Sequence, residues 1–384
     1  MSLRIALIAG EASGDQLGAE LMQRIRERNP DVTFEAVSGP RMREVGCRSI
    51  GDIEDLSLMG ITEVLRHVPR LLKLRRELVN YLLEDRPDVV IGIDNPDFNL
   101  GLERRLRAAG IPTAHYVSPT IWAWRPKRIH AVARAADRVF CLYPFEPELY
   151  AAVNVPADFV GHPLAREIHR PMSRQSARQV LGLSEQETVV ALLPGSRISE
   201  IRRLGSLFLQ TAAALRERMP RLRFVIPAAG TNCESAIAAL PELSHMELPV
   251  ELLSRGGART AIAASNAVLC ASGTVTLEAM LLERPAVVAY RISPVSHALL
   301  RGLGLIESRY FAMPNILAKE MLMPEFMQGE ARPEPMAEAL QEVLSDRHRR
   351  QQLREKYRGL AAGLRHGDPG VAAREVLCLA EANQ

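Results

Sequence analysis

Short apolar segments alternate along the chain with longer segments whose apolar residues recur at helical spacing. The segments that predict strands in the first part are Arg4–Ile8, Thr33–Val37, Val89–Ile93, Thr113–Val117, Arg138–Leu142 and Ala157–Val160. Those of the second part begin at Thr188 and continue with Leu222–Pro227, Val268–Cys270 and Ala286–Tyr290. This alternation is typical of parallel sheets covered by helices on both faces, so both parts are predicted to be α/β. From Pro335 on, only helical periodicity remains, with breaks near Asp346 and at Gly367–Gly370.

The length of 384 residues exceeds that of one ordinary core, which favours two domains. A polar, proline-containing stretch over 161–173 suits a linker between them. We expect an N-terminal Rossmann-like domain over 1–163, a linker and first helix over 164–187, a second Rossmann-like domain over 188–345, and helices over 346–384.

The composition is that of a globular protein, with 47% hydrophobic and 24% charged residues. A net charge of +3 without a long basic run argues against nucleic acid as a partner. The five cysteines are scattered and form no Cys-x-x-Cys pair, which favours a reducing cytosol over a disulfide framework or a zinc site. The N-terminus is not expected to be a signal peptide, and no apolar run is long enough to cross a bilayer.

Two strand-to-helix turns in the second part predict a nucleotide site. In the first, Gly195, Ser196 and Arg197 follow an apolar strand, where free amide groups of the helix and an arginine suit a diphosphate. In the second, Ser272, Gly273 and Thr274 precede a helix that carries Glu278. A carboxylate there repels phosphate, so Glu278 is expected to bind ribose hydroxyls. The alternatives are ordinary turns, a solvated Arg197 and a first-turn Glu278 that interacts with the helix dipole.

The first part has polar turns of a different character. The loop Gly10–Asp15 contains Glu11, Ser13 and Gly14 but lacks the Gly-x-Gly-x-x-Gly pattern and a Walker lysine. It is expected to face sugar hydroxyls or to shape a cleft; alternatively, Asp15 caps the following helix. Asp94 stands at the tip of a central strand, where a general base would be needed, and Asp97 follows it. Either aspartate could instead form a turn before proline.

The segment after the fourth predicted strand contains both tryptophans. Ser118 and Trp122 lie in it, and the rings either line a sugar or acyl pocket or anchor the loop in the core. His115, inside the strand itself, is interpreted as a core residue.

These motifs together resemble lipid-A-disaccharide synthases over nearly the whole chain. The matching residues are Gly10–Asp15, Gly39–Met42, Met59–Gly60, Glu63–Leu65, Gly92–Asp94, Pro96–Asn99, Tyr116–Pro119, Trp122–Arg125, Leu193–Arg197, Ala271–Thr274, Glu278 and Pro314–Asn315. The resemblance implies a GT-B type glycosyltransferase, with two Rossmann-like domains facing a cleft and a helical C-terminus. It also implies an inverting transfer, without cofactor or metal, from UDP-2,3-diacylglucosamine to 2,3-diacylglucosamine 1-phosphate. The products would be the β(1→6) disaccharide 1-phosphate of lipid A and UDP.

The site residues follow from the turns and the resemblance together. Asp94 is expected to be the base and Arg197 to stabilise the leaving diphosphate. The residues expected around UDP are Gly195, Ser196, Arg197, Ser272, Gly273, Thr274, Glu278 and Asn315. Those expected at the acceptor or cleft are Glu11, Ser13, Gly14, Asp97, Ser118 and Trp122.

The acylated substrates suggest contact with the inner face of the cytoplasmic membrane. Apolar residues at helical spacing over Met59–Val68, with Arg66 and Arg70 among them, could lie on an anionic bilayer, or could pack on the sheet as ordinary helices. Two other functions remain open at this stage: a UDP-N-acetylglucosamine 2-epimerase-like enzyme and a non-catalytic module that binds nucleotide sugars. The sequence leaves open whether the chain acts as a monomer or a homodimer.

Overall fold

The chain folds into two compact units, Met1–Pro163 with Leu364–Gln384, and Leu164–Gly363. A computed structural model describes residues 2–56, 61–123, 125–246, 248–254, 257–292 and 309–382, giving the backbone alone for 61–67. The segment 59–60 and Trp124, both part of the family resemblance, lie outside the described residues.

The first unit is built on a parallel sheet of seven strands. These are β1 (Arg4–Ala9), β2 (Thr33–Ser38), β3 (Arg48–Asp52), β4 (Val89–Ile93), β5 (Thr113–Tyr116), β6 (Arg138–Cys141) and β7 (Ala157–Phe159). Their spatial order is β3-β2-β1-β4-β5-β6-β7. The chain therefore reverses its direction of travel across the sheet between β1 and β4. In open α/β sheets, ligands bind at such a switch point, beyond the carboxyl ends of the strands.

Helices cover both faces of this sheet because its central strands are apolar on both sides. Those of the first unit are α1 (Ala12–Arg28), α2 (Pro40–Val45), α3 (Ile61–Glu84), α4 (Pro96–Ala108), α5 (Ile129–Ala135) and α6 (Glu146–Ala151). Ile5 and Leu7 pack with α1, whereas Ile8 packs with α3 and α4 on the other face. Side chains of alternate β1 residues thus enter two separate cores.

The second unit repeats this architecture with a sheet of six strands. These are β8 (Thr188–Leu193), β9 (Leu222–Pro227), β10 (Val250–Leu253), β11 (Ala267–Ala271), β12 (Ala286–Tyr290) and β13 (Glu325–Met327). The order β10-β9-β8-β11-β12-β13 places the switch point between β8 and β11. All the strand pairs are parallel.

The remaining helices belong to this second unit, apart from the last. They are α7 (Pro163–Glu167), α8 (Arg174–Leu181), α9 (Ile198–Arg218), α10 (Thr231–Ala238), α11 (Pro241–His245), α12 (Gly257–Ala264), α13 (Thr274–Leu281), α14 (Met313–Ala318), α15 (Pro333–Ser345) and α16 (Arg347–Arg365). Val190 and Leu192 form its core with Phe208 of α9 and Leu340 of α15. The last helix, α17 (Pro369–Glu381), packs on the first unit through Val376.

The predicted α/β class with two parallel sheets and a helical C-terminus is confirmed. All ten predicted strands are present. Strands β3, β10 and β13 were not predicted; each is the edge strand or the last strand of its sheet and is only partly buried, so its sequence has no apolar run. None of the helices within the described ranges has an apolar stretch that would span a bilayer.

Candidate functional site

The first group of predicted residues lies at the switch point of the first sheet. Ala9 of β1 is paired with Ile93 of β4, so the turns that follow these strands are neighbours. Gly10 lies so close to the second turn that an added Cβ atom would be 2.6 Å from Asn95 Nδ2. A larger residue at position 10 would displace the Asn95 side chain. The sheet thus brings together the two polar turns that the sequence places far apart.

Asp94 lies in an unusual backbone conformation at this point. Its φ is 53° and that of Asn95 is 43°, both in the left-handed region that non-glycine residues rarely adopt. The buried Asn99 holds the turn by donating from Nδ2 to the carbonyl oxygens of Asp94 (2.8 Å), Ile8 (3.2 Å) and Ile93 (3.3 Å). One side chain therefore ties the ends of β1 and β4 together. Strain maintained by such over-determined contacts is characteristic of functional sites.

The two candidate carboxylates have different surroundings. The Asp94 carboxylate accepts a hydrogen bond from the backbone amide of Asn95 (2.8 Å), and in the described part of the chain nothing else pairs with it. Asp97 is paired with Arg128 and lies 3.9 Å from Arg125. A general base must contact the proton that it removes, and the carboxylate of Asp97 is already engaged by arginine side chains. Asp94 is the better placed of the two.

The loop after β1 divides its residues between surface and core. Glu11 and Ser13 are exposed at the start of α1, while Gly14 is buried against Ala9 and Ile93. Asp15 does not cap its own helix, contrary to the alternative considered from the sequence. It is buried and accepts hydrogen bonds from the amides of Gly39, Arg41 and Met42, at the start of α2.

The tryptophan segment is fixed by a buried carboxylate that the sequence did not reveal. Trp122 Nε1 donates to Glu146 Oε1 (3.1 Å), and Glu146 Oε2 accepts from the amides of Leu142 (3.1 Å) and Tyr143 (3.0 Å). Burial raises the pKa of Glu146 to about 7. Ser118 is buried as well and its hydroxyl lies 2.8 Å from that of Tyr150.

Trp122 also packs edge-on against the rings of Tyr143 and Phe145, at centroid distances of 6.2 and 5.6 Å. Trp122 therefore anchors its loop to the first unit, as one of the two interpretations of the sequence held. Since the ring is only partly buried, it can also contact a ligand. No sequence signal distinguishes Glu146 from a surface glutamate.

The buried strand residue His115 behaves as predicted for the core. Its Nδ1 lies 2.7 Å from Oε1 of the equally buried Glu103. Within the described residues, no cluster of three or more His, Cys, Asp and Glu side chains could hold a metal ion.

The second group of predicted residues lies at the switch point of the second sheet. Leu193 of β8 pairs with Cys270 of β11, so the turns carrying Arg197 and Gly273 are adjacent. Gly195 and Gly273 have φ values of 134° and 148°, which side chains strongly disfavour. The two glycine turns that together predict the nucleotide site therefore lie side by side in the sheet.

The amides of the first turn are not free, in contrast to the expectation from the sequence. Glu200 Oε2 accepts hydrogen bonds from the backbone amides of Ser196 (2.9 Å) and Arg197 (3.3 Å). The Arg197 side chain is 71% exposed, and its Nη1 lies 3.9 Å from Glu200 Oε1. Glu200 stands at the third helical position, where capping-box spacing could have revealed it.

The second turn is more open. Gly273 and Thr274 are exposed, and no side chain of the described residues caps the start of α13. The Ser272 hydroxyl donates to the carbonyl of Phe311 (3.0 Å), so it ties this turn to the segment before α14. Phe311 contacts the ring of Tyr290 at the end of β12, a partly exposed aromatic residue that the sequence analysis did not select.

Glu278 lies in α13 and is held by an arginine. Arg259 Nε donates to Glu278 Oε1 (2.9 Å), and the same guanidinium donates to both carboxylate oxygens of Glu167 (2.6 and 3.1 Å). Only 16% of the Glu278 side chain is exposed. One carboxylate edge is thus fixed, which orients the group.

Asn315 lies inside the second unit. Its Nδ2 donates to the carbonyl of Met323 (2.7 Å) and to Glu325 Oε1 (2.8 Å), and its Oδ1 accepts from the amides of Leu322 and Met323. These bonds give it a structural role in the segment that contacts Ser272. Direct contact of Asn315 with UDP stays a prediction.

A family model described as "Lipid-A-disaccharide synthetase" matches residues 5–369. A lipid-A-disaccharide synthase of Xanthomonas campestris pv. campestris (strain 8004) is 48% identical over 375 residues, which are 97% of this chain and 85% of that protein.

Solved structures at low sequence identity share the fold. One is described as the glycotransferase of kitacinnamycin, at 17% identity and a TM-score of 0.64, covering 98% of this chain and 99% of that one. Another is the UDP-GlcNAc 2-epimerase from Neisseria meningitidis bound to UDP-GlcNAc, at 12% identity and a TM-score of 0.63, covering 98% and 100%. At these identities the likeness supports the architecture and does not favour the epimerase alternative.

Proposed function

The chain belongs to the lipid-A-disaccharide synthase family, and we propose that its first unit binds the lipid acceptor while its second unit binds the UDP part of the donor. The reaction transfers 2,3-diacylglucosamine from UDP to the 6-hydroxyl of 2,3-diacylglucosamine 1-phosphate. It yields the β(1→6) disaccharide 1-phosphate and UDP.

Asp94 is the proposed base. The α-linked donor and β-linked product require a single displacement at the anomeric carbon, so one base suffices. Asp94 removes the proton of the 6-hydroxyl as its oxygen attacks this carbon, and the electrons of the breaking bond leave with UDP. The observation that carries the proposal is the Asp94 carboxylate at the switch point, which has no ion-pair partner among the described residues and lies on a backbone turn held by Asn99.

The second unit receives the charge that develops on the leaving group. Arg197 supplies a guanidinium for the diphosphate, and the start of α13 beyond Gly273 supplies the positive end of a helix dipole. Glu278, held by Arg259, binds the ribose hydroxyls. These groups stabilise negative charge without any need for a metal.

Both substrates carry acyl chains, so we propose that the protein attaches peripherally to the inner face of the cytoplasmic membrane. The predicted segment 59–68 lies outside the described side chains except for Val68. Support comes from the adjoining turns of α3, where the apolar side chains of Val68 and Leu72 are 36% and 49% exposed. The exposed cations beside them, Arg70 and Lys73, are paired with Asp55 and Glu77, so the apolar side chains carry this proposal.

The test is an assay with both acylated glucosamine substrates that measures UDP release and the disaccharide. Asp94→Asn should lower the rate by about 10²–10⁴. Asp97→Asn is the matched control, because it changes a neighbouring, ion-paired carboxylate. A larger loss in the control than in Asp94→Asn would transfer the role of base to Asp97. Isomerisation of UDP-N-acetylglucosamine without acceptor would refute the transferase function.

A further inference from the structure

Glu200 occupies the position in the β8–α9 turn that a phosphate would be expected to take. Its Oε2 atom accepts both backbone amides, of Ser196 and Arg197, that point toward the start of α9. A phosphate at this helix start would need the same amides and would meet a carboxylate. The carboxylate of Glu200 therefore already offsets the positive end of the α9 dipole.

The turn is also shaped around this glutamate. Gly195 has a φ of 134°, and an added Cβ atom would lie 2.4 Å from both Cβ and Oε2 of Glu200. On its other side, the Ser196 carbonyl accepts a hydrogen bond from the Cys233 thiol (3.2 Å). Glycine at position 195 thus leaves space for Glu200 to reach back over the turn.

The second carboxylate oxygen faces the arginine. Oε1 of Glu200 lies 3.9 Å from Nη1 of Arg197, and no other acidic group among the described residues pairs with this guanidinium. Glu200 is 32% exposed and Arg197 is 71% exposed, so the arginine is the outer group of the pair. Its remaining donors can meet an anion from solvent.

We propose that Glu200 is a positioning residue for Arg197, and that it reserves the amides of this turn so that the donor's diphosphate is bound there by the arginine side chain. This inference rests on the proposed function. The two glycine turns then have different roles in binding the diphosphate. The turn at Gly273 contributes backbone amides, and the turn at Gly195 contributes the charged side chain of Arg197.

A double-mutant cycle tests the inference. Glu200→Gln removes the charge but keeps an oxygen that can accept an amide of the turn, and it should lower kcat/KM for the donor about tenfold. In an Arg197→Ala background the same change should alter kcat/KM less than about twofold, because Glu200 acts through Arg197. Glu334→Gln, an exposed first-turn glutamate of α15, is the matched control and should leave kcat/KM unchanged.

A purely structural glutamate would give a different result. It would lower kcat/KM equally in both backgrounds, or lower only the unfolding temperature, and either result overturns the inference. If Glu200→Gln does not fold, Glu200→Asp completes the same cycle, because it keeps the charge but withdraws it from the turn. Absence of disaccharide formation by the wild-type protein would instead refute the proposed function.

Discussion

The buried Glu146 makes the stability of the first unit depend on pH. Its carboxyl group has an ordinary pKa of 4.5, and burial raises the pKa in the folded protein to about 7. A folded-state pKa above the unfolded one means that this group's contribution to stability is fully present below pH 4.5. The contribution is lost as pH rises through 7. The replacement Glu146→Gln removes this titration.

The size of the effect follows from the two pKa values. One pKa unit corresponds to about 1.4 kcal/mol, so between about pH 5.5 and pH 8.5 the wild type should lose about 2 kcal/mol of unfolding free energy relative to Glu146→Gln. The glutamine amide also donates where the carboxylate accepts, and this changes the variant's stability by a constant amount. Only the change of the difference with pH is therefore diagnostic.

Urea unfolding followed by tryptophan fluorescence measures this quantity. Both tryptophans belong to the first unit, and Trp122 donates directly to Glu146. Glu148→Gln, on the exposed side of the same helix α6, is the control and should follow the wild type at each pH. The contrary outcomes are a difference in unfolding free energy between wild type and Glu146→Gln that stays constant with pH or changes in the opposite sense. Either result would mean that the hydrogen bonds from the backbone amides and the indole lower the pKa of Glu146 by at least as much as burial raises it, and it would refute this prediction.

Three further predictions concern the proposed chemistry. Glu278→Gln should weaken UDP binding about tenfold but leave the binding of 2′,3′-dideoxy-UDP unchanged, because a ribose contact requires the hydroxyls; calorimetry with both nucleotides distinguishes this from a structural loss, which would weaken both. Asn99→Ala should lower kcat by at least about tenfold and lower the unfolding temperature, since Asn99 holds the Asp94 turn, and a wild-type kcat would show that the turn keeps its shape without it. Chelation with EDTA should leave the transfer rate unchanged, because Arg197 is proposed to stabilise the leaving diphosphate; a loss restored by Mg²⁺ would contradict this.

The repeating parts of the fold could be predicted because their sequence carries a local signal. Strands such as β4 and β8 are apolar on both faces, and the glycine turns after β8 and β11 require backbone conformations that few other residues tolerate. By contrast, β3 is a polar edge strand that depends on pairing with β2. Its hydrogen bonds are tertiary, and no periodicity encodes them.

The site shows the same division. Asp94 could be selected because it follows β4 directly, and Arg197 because it lies in the glycine turn after β8. Glu146 could not be selected, because its burial depends on where α6 packs. The same is true of the hydrogen bond that its carboxylate accepts from the amide of Leu142, four residues earlier in the chain. Glu200 has the sequence spacing of a capping box, but spacing alone does not show whether its carboxylate faces solvent or the turn. The structure shows that it accepts hydrogen bonds from the amides of Ser196 and Arg197.

The packing of α17 affects how the protein can be made. Val376 and Ala380 belong to the same core as Ile5 and Leu7, although more than 360 residues separate them in the chain. During synthesis, the sheet of the first unit emerges from the ribosome long before the helix that completes one of its faces. Until residues 369–381 have emerged, this face stays uncovered and exposed to aggregation or to chaperones, even while the whole second unit can fold. The first unit can therefore complete its folding only after the last helix has been synthesised.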